Sequence, residues 1–274
     1  MKIALIRGAV LALCTLWAAA ASAADQTQSP YAIVLQRYVD DDGLVDYAKL
    51  KANGRALLDS ACTTFAAATP AEYEFWNEKD RIAFWLNAYN AYTLKLIVDN
   101  YPIQPSKGKT KYPANSIRQI PGAWEHKKFR ALGRDVSLDE IEHKILRVEF
   151  KEPRIHMALV CAAASCPELR REPYRGDVLD TQLDDQSRAF LSDLRKFHID
   201  RDANEVWASP IFDWFVDDFL PGATAVNPRH IAQQMALVAF ATQYVPPDDA
   251  RYLESGKYVV KYFDYDWTLN VRVK

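Results

Sequence analysis

Residues 81–100, RIAFWLNAYNAYTLKLIVDN, carry apolar side chains on nearly every face of a helix. A surface helix shows one apolar stripe; a helix that is apolar all round has to be buried. The stretch predicts a helix over about 81–99 at the centre of the fold, with other elements packed around it. Asn87 and Asn90 lie in its middle, one turn apart on one face. Asparagine is a poor interior helix former, and a buried amide must be hydrogen-bonded. These amides either hold neighbouring backbone or face a cleft. Most buried polar side chains are structural, which favours the first use.

The chain begins with Lys2 and Arg7, an apolar run from Gly8 to Ala21, and then Ala21-Ser22-Ala23. That order is the one of a secretory signal peptide, with cleavage expected after Ala23. The run is shorter than a membrane span. Cys14 is followed by more apolar residues and an A-x-A site, which disfavours a lipid anchor. The expected product is one domain over 24–274, periplasmic or secreted. The full count of 34 Lys and Arg, less Lys2 and Arg7, against 36 Asp and Glu leaves a net charge of −4. That disfavours nucleic acid as a partner, and no basic stretch argues otherwise. Seven tryptophans and a hydrophobic half of the chain can fill a sizeable core.

Capping and turn signals outline the remaining elements. Residues 30–39 read as a helix that stops at the DDDG turn, 40–43. Tyr38 would occupy the first ligand position of a calcium loop there, so a solvated turn is the better reading. A helix from about Tyr47 carries Leu50, Leu57, Leu58 and Cys62. Thr69 with Glu72, and Ser137 with Glu140, form capping boxes. KFRAL and DVSL around Gly133-Arg134 read as a hairpin with a type II′ turn. RIHMALVC, 154–161, reads as a buried strand, and KYVVKYFDYDW as a final strand. Helices are expected over 181–195, after Ser209-Pro210 and after Asn227-Pro228.

The residues that could do chemistry centre on RIHMALVCAAASCPEL, 154–169. Pro167 suits the first position of a helix, which would make Cys166 its N-cap. A thiol there meets the positive end of the helix dipole, and its pKa falls. Cys166 is thus a candidate nucleophile, and a Cys161–Cys166 disulfide is the competing reading. Three cysteines remain after Cys14, so at least one thiol is unpaired within a monomer. On a strand, His156 and Cys161 face opposite sides. Cys161, Cys166 and His156 do not match a zinc-finger spacing, and a CxxC redox motif is absent. No metal or cofactor is expected. His143 sits beside Glu142 but one position round its helix, and His126, His198 and His230 lack supporting context. Asp213, Asp217 and Asp218 read as the wet side of an amphipathic helix.

FWLNAYNAY (84–92), SIRQIPGAW (116–124), SLDEIEHKILR (137–147), RIHMALVCAAASCPEL (154–169) and DYDWTLN (264–270) occur in this order. Together they resemble the domain of unknown function 547 family over roughly residues 30–270. The family's motif positions fall here on Asn87, Asn90, Trp124, Glu142, His143, Arg147, His156, Cys161, Cys166 and Asp266. The resemblance brings no settled activity with it.

The expected fold is a single α+β domain with a mixed or antiparallel sheet flanked by helices. By analogy alone it is papain- or transglutaminase-like: circularly permuted papain-like folds also place a histidine before a helix-capping cysteine. Two functions from different classes are expected. One is a cysteine-dependent hydrolase or acyl transferase acting on a peptide, amide or thioester. Cys166 would be its nucleophile and His143 or His156 its base, with Glu142 beside them and Asn87 or Asn90 orienting the substrate or donating to an oxyanion. The other is a non-catalytic periplasmic protein that binds a small molecule or peptide in the same cleft. A sulfur–sulfur bond would favour binding; a histidine within hydrogen-bond reach of the sulfur would favour catalysis.

Overall fold

A computed structural model describes residues 28–106 and 110–272. The expected leader, its cleavage site after Ala23 and Cys14 lie outside the described residues. Helices α1 (Pro30–Tyr38), α2 (Arg55–Ala67) and α3 (Glu78–Asn100) open the chain. A short hairpin follows, β1 (Phe129–Ala131) and β2 (Arg134–Val136). Helix α4 (Leu179–Ser192) leads into β3 (Phe197–Asp200) and β4 (Glu205–Ala208). Helices α5 (Arg229–Ala241) and α6 (Pro247–Ser255) precede β5 (Val259–Tyr262). The fold is α+β and mostly helical. Its sheets are small: β1 and β2 pair antiparallel, and β3-β4-β5 is a mixed sheet with β4 parallel to β5.

Helix α3 takes the central position that its all-round apolar sequence requires. From Ile82 to Val98 only Phe84 and Lys95 are not buried. Asn77 caps its start by accepting the Asp80 amide. One hydrophobic core surrounds this helix and draws on α1, α2, the hairpin and residues 155–183. A second core gathers α5, β4 and the aromatic residues Phe212 and Phe219. Tyr265 packs against both.

Two local expectations are corrected. The hairpin loop is Leu132-Gly133, because Ala131 pairs with Arg134. Both loop residues have positive φ, 47° and 72°, which makes the turn type I′ rather than II′. RIHMALVC is not a strand. Pro153–Met157 is a 3-10 turn, and residues 158–161 run on without a strand partner. Proline at the start fixes φ for the turn, and Glu152 caps it by accepting the Arg154 amide.

A buried irregular segment must still satisfy its backbone polar groups. Here amide side chains do so. Asn90 accepts the Val160 N–H at 2.9 Å and donates to the Ala158 carbonyl at 3.0 Å. Asn87 does the same to Tyr174, accepting its N–H at 2.9 Å and donating to its carbonyl at 2.8 Å. Gln186 of α4 donates to the carbonyls of Met157 and Glu168. The C-terminal segment then laces the loop 161–166 from the other side. Ala164 donates to Thr268, Ser165 to the Asp266 carbonyl, and Asn270 donates back to Ala162. Gly43, in the DDDG turn, closes against the end of this loop. Its φ is +72°, and a Cβ there would lie 2.6 Å from the Leu169 amide nitrogen, so only glycine fits.

Candidate functional site

A pocket opens at the seam between the two cores. Tyr89 and Leu159 contribute from the first core, Ile211 and Phe215 from the second. Its polar lining includes Glu142, His143, His156 and Cys161, and also Arg118, Glu125 and Asp139. Trp124, Trp214, Tyr265 and Trp267 form an aromatic wall. Arg118 stacks on it, its guanidinium 4.1 Å from the Trp267 ring centre and 4.5 Å from that of Trp124. Arginine over tryptophan at this distance is a cation–π contact.

Cys161 and Cys166 are joined by a disulfide, with Cα atoms 6.3 Å apart. The two sulfurs differ in exposure. Cys161 lines the pocket, while Cys166 is buried behind it and is 3 % exposed. Two donors converge on the Cys166 sulfur: the Cys161 backbone N–H at 3.1 Å and the Tyr265 hydroxyl at 3.3 Å. The same hydroxyl lies 3.4 Å from the Cys161 sulfur. Burial, then the charge of Glu142, push the Tyr265 phenol up, which keeps it a proton donor.

The histidines belong to a separate polar chain. Asp218 accepts from both Nε and Nη2 of Arg147 and from His156 Nε2 at 2.8 Å. Arg147 also bonds His143 Nδ1 at 2.9 Å through Nη1. Guanidinium can only donate, so this Nδ1 is the acceptor and the neutral ring carries its proton on Nε2. That Nε2 lies 3.8 Å from Asp139 Oδ1. The His156 ring stacks on Phe215 at 4.0 Å between ring centres, and Arg147 lies over the same phenyl ring at 4.7 Å. Burial raises the Asp218 carboxyl, but the hydrogen bonds from His156 and Arg147 outweigh it and hold it down at about 2. Tyr89 donates to Glu142 Oε2 at 3.0 Å.

Residues 73–191 match the family model described as protein of unknown function, DUF547. This stretch is a DUF547 domain. The match is narrower than the 30–270 span over which the motifs resemble the family. No curated protein and no solved structure matches the chain. The DUF547 domain supplies Tyr89, Glu142, His143, His156 and Cys161 to the pocket, whereas Trp214, Phe215, Tyr265 and Trp267 come from beyond its end.

Several expected site residues meet here and others do not. Glu142, His143 and His156 line the pocket as a group. His156 and Cys161 share it because the segment between them is not a strand, so the alternation that would separate them does not apply. Glu142 and His143 share it on the turn Ile141–Leu146, which is wound as a π-helix. Cys166 is not a helix N-cap: residues 167–175 contain no helix, so no helix dipole acts on its sulfur. Contrary to expectation, Cys161 lines the pocket and the buried Cys166 does not, its sulfur engaged by the Cys161 amide and Tyr265. Asn87 and Asn90 stand behind the pocket wall, their amides engaged with backbone. Asp218 was not legible as a site residue: in IFDWFVDDFL it reads like its neighbours Asp213 and Asp217, which instead bind Arg229 and Thr224. Tyr265 lies inside the DYDW motif but carries no chemical signal of its own in the sequence.

Cys62 sits apart on α2, half-buried and free. Burial pushes its thiol up to about 12, with Lys95 opposing and Asp59 and Asp99 adding to the rise. At pH 8 a thiol with that pKa is thiolate in on the order of one molecule in ten thousand. Iodoacetamide should therefore leave Cys62 unmodified in the native protein at pH 8 and label it once the protein is denatured. Rapid native labelling at pH 8 would contradict that environment.

Proposed function

We propose that this protein is exported and binds a small molecule or peptide in the aromatic pocket. The ligand would carry one apolar face and a hydrogen-bonding edge. The disulfide supports this reading most directly, since it leaves neither Cys161 nor Cys166 free as a nucleophile. The protonation of His143 supports it too: a ring with hydrogen on Nε2 donates to the pocket and is not poised to take a thiol proton. Pockets of this kind bind through aromatic area and are oriented by a few fixed polar groups. Trp124, Trp214 and Trp267 supply the area, and Glu142, His143 and Arg118 the polar edge. A disulfide also suits an oxidising compartment, in line with the expected export.

The second reading is the cysteine-dependent hydrolase or acyl transferase on a papain-like plan. One observation favours it: Cys161, Glu142, His143 and His156 converge on one pocket. It requires the disulfide to be reduced, with Cys161 rather than buried Cys166 as nucleophile. Among the described residues, the hydrogen bonds of the two sulfurs go to Tyr265 and to the Cys161 amide, none to a histidine. One experiment separates the readings. A panel of small peptides and saccharide fragments is screened by tryptophan fluorescence and thermal shift, with and without reductant. Binding predicts a hit that survives in the Cys161→Ser, Cys166→Ser double variant and weakens at least tenfold in Trp214→Ala. Turnover of an activated thioester by the reduced protein, lost in Cys161→Ser, would replace binding with catalysis.

A further inference from the structure

The disulfide itself has the asymmetry that thiol–disulfide exchange requires. Exchange proceeds by attack of a thiolate on one sulfur while the other leaves, and it runs faster when the leaving sulfur is stabilised as an anion. Of the two cysteines, Cys161 lines the pocket and Cys166 does not. Cys166 is buried; the Cys161 N–H points at its sulfur, and the Tyr265 O–H lies 3.3 Å from it and 3.4 Å from the Cys161 sulfur. Backbone hydrogen bonds to the C-terminal segment fix the loop between the two cysteines. The two donors are therefore in place before any bond breaks.

We propose that Cys161–Cys166 is an exchange-competent disulfide that accepts electrons from thiol compounds entering the pocket, with Cys161 as the attacked sulfur and Cys166 as the leaving sulfur. A thiolate RS⁻ attacks Cys161 Sγ. The new RS–S(Cys161) bond forms, the Cys161–Cys166 bond breaks, and its electron pair departs on Cys166 Sγ, which then takes a proton from water. With a dithiol, the second thiolate attacks the substrate sulfur of this mixed disulfide. The substrate leaves as a cyclic disulfide, and Cys161 departs as a thiolate and is protonated. Two electrons and two protons pass from the dithiol to the protein. A small-molecule disulfide, by the reverse steps, restores the starting state. Tyr265 touches the leaving sulfur and so is a catalytic residue of this exchange. The inference stands independently of the ligand-binding reading, because it requires only access of a thiol to Cys161.

The test uses the native, oxidised full chain and glutathione. The reaction is quenched with N-ethylmaleimide and mapped by mass. Glutathione should appear on Cys161 and maleimide on Cys166 in the same molecule. Tyr265→Phe should slow the reduction about tenfold, with the thermal midpoint and far-ultraviolet dichroism unchanged, as expected for loss of one hydrogen bond to an anionic sulfur. Glutathione on Cys166, or reduction no faster than global unfolding, would overturn the proposal. So would an unaltered rate in a folded Tyr265→Phe variant. If that variant fails to fold, the adduct map of the wild-type chain decides alone. Ligand-induced fluorescence changes are read separately in the double cysteine-to-serine variant, so loss of exchange and loss of binding remain distinct results.

Discussion

Asn90→Ala is expected to destabilise the protein by about 2–5 kcal/mol, because it strands two buried backbone groups that cost about 1–3 kcal/mol each. The Asn90 side chain is the partner of both the Val160 N–H and the Ala158 carbonyl, and all three residues are buried. An opposing effect exists: alanine favours a helix interior over asparagine by roughly 0.7 kcal/mol or less. The stranded groups win by several-fold. Urea denaturation of the two proteins checks this, and a loss below about 1 kcal/mol would mean that water replaces the amide. Asn90→Asp separates the two bonds. It keeps an acceptor for Val160 but loses the donor to Ala158 and adds a buried charge, so it should be no more stable than Asn90→Ala. The backbone released by either change leads directly into Cys161. Any shift in the pocket should therefore accompany the loss of stability, and Asn87→Ala, which frees Tyr174 at the far end of the loop, offers the comparison.

The helical part of this fold was legible because its signals are local. The unbroken apolar surface of 81–99 required a central helix, and both capping boxes form at Thr69 and Ser137 as their spacing implies. The segment 154–166 failed for an instructive reason. An apolar run reads equally as a buried strand or as any other buried backbone, and here the partners that decide lie far away in sequence. Asn90 is about 70 residues upstream and the lacing segment about 100 downstream. The two asparagines were the visible trace of that arrangement. Amides in an otherwise apolar helix are needed where neighbouring backbone has no sheet to satisfy it. The site was legible in part for the same reason: Glu142, His143, His156 and Cys161 stand out by residue type. Asp218 and Tyr265 do not, since their roles depend on which groups they meet across the seam between the cores.

Asp218 is where the second large effect is expected. Its carboxylate binds Arg147 through two nitrogens and His156 through Nε2, and it ties the histidine chain of the pocket to residues 216–219. Removing one member of a buried pair costs more than the pair contributes, because the other charge is left without a partner, typically about 3–5 kcal/mol. Arg147 keeps 27 % of its side-chain surface, so water relieves part of that cost and about 2–3 kcal/mol is expected for Asp218→Ala. The pH dependence follows from the direction of the shift. The folded carboxyl titrates at about 2, below its ordinary 3.8, so its contribution is complete above the ordinary value and is lost as pH falls towards 2. By linkage the wild type should lose about 2 kcal/mol through this group between pH 5 and pH 2. Asp218→Asn keeps the shape and removes the titration. Its stability deficit against the wild type should shrink steadily below pH 4. Denaturant midpoints measured at half-unit steps from pH 2 to pH 7 would show this, and a deficit that stays unchanged down to pH 2 would mean that Asp218 is not held by these donors. Asp218→Ala also frees Arg147 from its anchor while leaving it bonded to His143 Nδ1, so the His143 ring should lose its fixed orientation in the pocket, measurable as broadening of its imidazole resonances.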